Sequence, residues 1–150
     1  MPKVYFALMS VLMFFVLSPT TAQKHNRDSF EEQILYCTNK FRAKHDLAPV
    51  KMDSYINSEA AKHSRDMASG RAGFGHGGFQ QRTDNLRNKL GAVAAGENVA
   101  YGLLSAKEVV DIWINSAPHR KNLLGNFTMA GIGVAKNEQG ILFFTQIFAR

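Results

Sequence analysis

The apolar residues of this chain change their spacing part-way along, and that change sets the fold class. Between Phe30 and Ser116 they recur in three stretches at helical intervals. Phe30, Ile34, Cys37 and Phe41 form one stripe, and Ile56, Ala60, His63 and Met67 a second. Val109, Ile112, Trp113 and Ser116 form a third. Residues three and four apart share one face of an α-helix. Past Met129 the pattern becomes that of strands. Met129–Ala135 and Ile141–Phe148 flank the turn Asn137-Glu138-Gln139-Gly140, which predicts a hairpin. Ile132 and Val134 alternate with Gly131 and Gly133, so another element is expected close against that strand. Helices first and a hairpin last, without βαβ alternation, predict an α+β domain with helices laid on a small antiparallel sheet.

Local signals place the element ends. Asp28 and Glu31 have capping-box spacing, so the first helix is expected to begin at Asp28 and to stop near His45, before the extended Leu47–Val50. The second follows Asp53 or Ser54, with Gly70 as its C-cap. Glycines 73, 75, 77 and 78 exclude a regular helix across Arg71–Gln81. Thr83 is expected to cap a short helix to Leu90, and Gly91–Gly102 reads as small-residue loop or strand. Ser105 and Glu108 form a capping box. Pro118 suits the first turn of a helix reaching Leu124, with Ser116 as its cap.

The N-terminus reads as a leader. Lys3 precedes the apolar run Val4–Leu17, and Thr20 and Ala22 are small residues at the positions a signal peptidase reads. The run is short for a bilayer span of about 20 residues. The expected organisation is a signal peptide at 1–22, a polar arm at 23–29 and one domain at 30–150, secreted, periplasmic or extracellular. No span is expected after cleavage, and the domain is expected to be a monomer. Loss of Lys3 lowers the net charge of +6 by one. The basic residues are dispersed, which argues against nucleic acid. One cysteine, Cys37, excludes an internal disulfide framework, and its place on a helical stripe makes it a small core hydrophobe.

Three segments carry the polar chemistry. They are Phe74-Gly75-His76-Gly77-Gly78-Phe79, Gly96-Glu97-Asn98-Val99-Ala100 and Trp113-Ile114-Asn115-Ser116-Ala117-Pro118-His119-Arg120. His76, Glu97 and His119 are candidates for a polar cleft, and two imidazoles with one carboxylate can bind zinc. Ser116 beside His119 invites a serine-nucleophile reading, but neighbours on one helical turn seldom align for it. Glu97 can equally lock a loop by accepting backbone N–H groups, with Asn98 as a turn residue. His119 at a helix start is expected to stay neutral against the helix dipole. Arg120 is expected to pair with the protein's own acids, and Gln146 to tie the sheet to the cleft floor. Trp113 and His63 read as core, His63 with a satisfied hydrogen bond or supporting the cleft from beneath.

These segments, with His119-Arg120-Lys121-Asn122-Leu123-Leu124, Gly131-Ile132-Gly133-Val134 and Thr145-Gln146-Ile147-Phe148, resemble the CAP superfamily of cysteine-rich secretory, antigen-five and pathogenesis-related proteins, also called the SCP domain. The likeness runs from about Ile34 to Ala149 and is nearest the short, disulfide-poor bacterial branch. It implies an α-β-α sandwich around a central antiparallel sheet. It also implies a cleft of two histidines and two acids, carried onto His76, Glu97 and His119, with Asn98, Ser116 and Arg120 beside them. The second acid's usual place, three residues after the tryptophan, is held here by Ser116. The resemblance implies an extracellular lipid, glycan or protein ligand, a possible zinc ion on His76 and His119, or a metal-dependent hydrolase of peptides or cell-wall material. The incomplete tetrad favours binding over catalysis.

Overall fold

The computed structural model describes residues 29–150; the leader, Asp28 and the rest of the arm before Ser29 lie outside them. Helix α1 (Phe30–Ala43) is capped by Ser29. The Ser29 hydroxyl accepts from the Glu32 N–H while the Glu32 carboxylate accepts from the Ser29 N–H. The capping box therefore lies one residue beyond the expected Asp28–Glu31 pair. The helix ends at Ala43, and the chain turns through Asp46, at φ 56°.

After the two-residue strand β1 (Lys51–Met52), Asp53 caps α2 (Ser54–Ala68) by accepting from the N–H groups of Tyr55 and Ile56. Helix α3 (Phe79–Leu90) starts well before the expected Thr83. Gly78, at φ 74°, swings the glycine loop straight into helix, and Thr83 is interior. Strand β2 (Ala95–Gly102), α4 (Ala106–Asn115), α5 (Ala117–Leu123), β3 (Met129–Lys136) and β4 (Leu142–Ala149) complete the chain. The Ser105–Glu108 capping box on α4 forms as read from the sequence.

The sheet order is β1-β3-β4-β2. β4 pairs antiparallel with both long neighbours, while β1 runs parallel to β3 through Lys51↔Met129. The sheet is therefore mixed, because the chain leaving Pro49 meets the outer edge of β3 for only two residues before Asp53 turns it into α2. One apolar cluster packs Ile34, Trp113, Leu123, Phe144 and Phe148 between the sheet and α1, α4 and α5. The other packs Ile56, Ala60, Leu86 and Ile147 under α2 and α3. The result is the expected α-β-α sandwich. Cys37 is half-buried against the first cluster. A Cβ on Gly131 or Gly133 would collide with the α2 backbone at Ile56–Asn57 or Ala60–Ala61, which is the predicted close approach.

On α4 the buried positions are Ala106, Val109, Val110 and Trp113, a single helical stripe. Ile112, expected inside, falls off that stripe and is 44% exposed. Strand β2 lies at the sheet edge, yet two of its carbonyls are taken by side chains from the helices. The Trp113 indole donates to Val99 and the Asn122 amide to Glu97. Such capping blunts an edge that could otherwise pair with another chain.

Candidate functional site

Strand alternation divides β2 between two faces. Asn98 points toward α5, and Glu97 points toward α2 and α3. The Glu97 carboxylate is 1% exposed. Arg82 of α3 meets it with Nε 2.7 Å from Oε2 and Nη2 2.8 Å from Oε1. His76 Nδ1 lies 3.0 Å from Oε1. The third Arg82 donor, Nη1, bonds the Gly77 carbonyl at 2.9 Å. Glu97 thus does lock the glycine loop, but through side chains rather than the backbone N–H groups expected of it.

His63 supports the same loop from beneath. Its Nε2 lies 2.8 Å from the Gly75 carbonyl. Burial pushes the His63 pKa below the usual histidine value, with the Gly75 hydrogen bond opposing. The satisfied core histidine read from the sequence is found in this contact, which also holds the loop that carries His76.

His119, on α5, faces His76 around the edge of β2, with ring centroids 6.3 Å apart. Burial, followed by the charge of His76, lowers its pKa. The neutral form expected from the helix dipole is therefore favoured by desolvation instead. Asn98 is a buried strand residue rather than a turn residue. Its amide donates to the His119 carbonyl at 3.3 Å and accepts from Asn122 at 2.9 Å, fixing the start of α5 against β2.

The remaining candidates stand apart from this group. Ser116 joins α4 to α5 at the N-cap position, but its hydroxyl makes no capping bond. It lines a depression on α4 with Leu104, Glu108 and Ile112. Arg120 is exposed and donates to the Ile114 carbonyl at 3.1 Å rather than to an acid. Gln146 reaches Thr38 of α1 at 2.9 Å, so it ties the sheet to a helix and not to the cleft. Trp113 is core, fully buried as read.

The donor set does not suit zinc. Both Glu97 oxygens already accept from Arg82, and one also faces His76. His119 Nδ1 is buried and has no partner among the described residues. Nothing behind Nδ1 therefore orients this ring in the way a ligating histidine is normally held by its second nitrogen. Among the described residues no group of three His, Cys, Asp or Glu side chains could hold a metal ion.

Arg82 and Asn122 organise this site, and neither was anticipated. Arg82 shares an inward helical stripe with Leu86, and a cation on such a stripe signals a buried partner. A helix expected only from Thr83 puts Arg82 outside that stripe, whereas α3 begins at Phe79.

The sequence profile of the cysteine-rich secretory protein family, CAP, matches residues 35–148. The chain belongs to this family. An extracellular SCP-domain protein of Bacillus anthracis has the same fold, with a TM-score of 0.70 and 34% identity over 89% of this chain and 45% of its own. An outer surface protein of Borrelia burgdorferi shares the CAP fold at a TM-score of 0.67 and 19% identity, covering 82% of this chain and 96% of its own. Bacillus subtilis YkwD is 31% identical over 145 residues, 89% of this chain. The chain spans only 55% of YkwD, so this CAP domain corresponds to about half of that relative.

Proposed function

We propose that this CAP domain is an exported, extracellular or envelope-facing binding module that engages its ligand at the cleft between His76 and His119. The observation carrying this reading is the state of Glu97. A carboxylate held by both teeth of Arg82 is a structural anchor, and it is not free to act as a general base or to ligate a metal. With Ser116 in the second acid's place, no other carboxylate from the family tetrad is left to do so. That weighs against the metal-dependent hydrolase reading.

Export is supported by Lys3, the apolar Val4–Leu17 run and the small residues at Thr20 and Ala22. In this reading residues 1–22 are removed, 23–29 form a polar arm and 30–150 are the working domain. No helix among the described residues is long and apolar enough to cross a membrane. The matched Bacillus anthracis and Borrelia burgdorferi proteins are described as extracellular and outer-surface.

Sedimentation of the mature protein with isolated cell-envelope material tests the reading. Wild type is expected to co-sediment, and His76→Ala with His119→Ala to lose most of that binding while staying folded. Equal binding by both would remove the cleft from the function. Turnover of casein or peptidoglycan that chelator abolishes would restore the hydrolase. A mature N-terminus at Gln23 is expected, and a chain retaining residues 1–22 would contradict export by cleavage.

A further inference from the structure

Next to the imidazole pair the molecule exposes aromatic rings. Phe74 is 51% and Tyr101 57% exposed. Their rings meet edge to face at 4.7 Å, and Tyr101 stacks on Phe143 at 5.7 Å with planes 20° apart. Exposed aromatic residues gathered in one patch mark a binding surface more often than isolated ones do. The patch lies on the two segments that also carry Glu97 and His76. Tyr101 follows Glu97 by four residues on the same face of β2, about 13 Å along the strand. Phe74 precedes His76 by two residues in the glycine loop. The loop therefore runs beside β2, with aromatic rings at one end and the imidazoles at the other.

We propose that this strip is a saccharide site, taking a neutral oligosaccharide of two or three β-linked, gluco-type pyranose rings. The inference rests on the binding reading above and names its ligand class. A pyranose with equatorial substituents has flat C–H faces that lie against aromatic rings and a rim of hydroxyl groups. The strip offers a match to each. Phe74 and Tyr101 supply ring surface. In its neutral form His76, with its Nδ1 proton directed at Glu97, leaves the Nε2 lone pair as an acceptor. His119, with its ring centroid 6.3 Å from that of His76, brings a second imidazole to the same hydroxyl rim. A sugar hydroxyl both donates and accepts, so the hydroxyl rim matches an imidazole nitrogen in either role. The only acid in the strip is already neutralised by Arg82, which leaves little there to recognise a cationic ligand. A strip of about 13 Å is longer than one sugar ring and suits two or three.

Calorimetry and saturation-transfer NMR with cellotriose, triacetylchitotriose and maltotriose test the proposal on the mature protein. The two β-linked trisaccharides are expected to bind, with saturation reaching their axial C–H protons. Maltotriose, whose axial linkage bends the chain off a flat platform, is expected to bind more weakly. Tyr101→Ala and Phe74→Ala each remove an exposed ring and are expected to weaken binding about tenfold, the scale of one aromatic contact. Binding unchanged in both variants would overturn the platform. If no trisaccharide binds while envelope sedimentation still depends on His76 and His119, the saccharide class is wrong and the cleft reading survives. If trisaccharide binding needs Tyr101 but not His119, the imidazole part of the proposal and the cleft reading both fall.

Discussion

Arg82 and Glu97 form a buried, two-toothed ion pair, with Nε–Oε2 at 2.7 Å and Nη2–Oε1 at 2.8 Å. The pair joins α3 to the edge strand, and through Gly77 and His76 it also fixes the glycine loop. Of the two roles the sequence offers for Glu97, loop lock and cleft acid, the lock is the one these contacts build.

Glu97→Gln is therefore expected to destabilise the fold by about 3 kcal/mol, because it leaves the Arg82 guanidinium buried without its counter-charge. Arg82→Met should cost a similar amount by stranding the carboxylate. The pair Glu97→Gln with Arg82→Met should cost clearly less than the sum of the two. Urea unfolding of the four proteins measures this. A single-variant loss below about 0.5 kcal/mol would mean that the pair is effectively solvated.

Stability is expected to fall on the acid side of neutrality. His63 and His119 both have pKa values lowered from 6.5 in the folded state, chiefly by burial. The unfolded chain then binds more protons than the native one as pH drops, so unfolding is favoured by acid. This contribution is fully present above about pH 6.5, the unfolded value, and is lost as pH falls through the lower folded values. Melting temperatures from pH 8 to pH 5 should show the decline, and His63→Gln should flatten it. A profile of His63→Gln that parallels wild type would place the proton uptake elsewhere.

Gly133→Ala is expected to cost about 3 kcal/mol or to prevent folding, since the new methyl group meets the Ala60–Ala61 backbone of α2. Gly140→Ala makes a useful comparison. Gly140 has open space but a φ of 83°, so its cost is backbone strain of about 1 kcal/mol. Equal Tm losses in the two variants would show that α2 can lift from the sheet freely.

Arg42 is 2% exposed, and it donates to four carbonyls, those of Ala48, Leu123, Gly125 and Phe127. Burial lowers its pKa. Arg42→Lys cannot reproduce that fork, so a loss of about 2–4 kcal/mol is expected, with faster amide exchange across residues 123–127. Exchange there at the wild-type rate would show that the α5–β3 connection is held by something else.

Zinc is expected to leave the cleft empty in solution. Calorimetric titration should give the same weak heats for wild type and for His76→Ala with His119→Ala, and chelator should not shift Tm. A wild-type site that saturates near equimolar zinc would require Arg82 to release Glu97 and would overturn this expectation.

The sequence by itself determined much of the scaffold. Helical spacing located α1, α2 and α4, and strand spacing located the β3–β4 hairpin. The glycines at 131 and 133 announced the approach of α2. These signals are local, because each depends on residues within a turn or two of one another. His76, Glu97 and His119 stand out in the sequence only as candidates, by residue type in glycine-flanked and proline-flanked segments. Tertiary structure alone decided what those groups do. Arg82 meets Glu97 across 15 positions, Asn122 meets Asn98 across 24 and Gln146 meets Thr38 across 108. No spacing rule names a partner at that range. A buried polar group must find one, and which one it finds is settled by how the helices pack on the sheet.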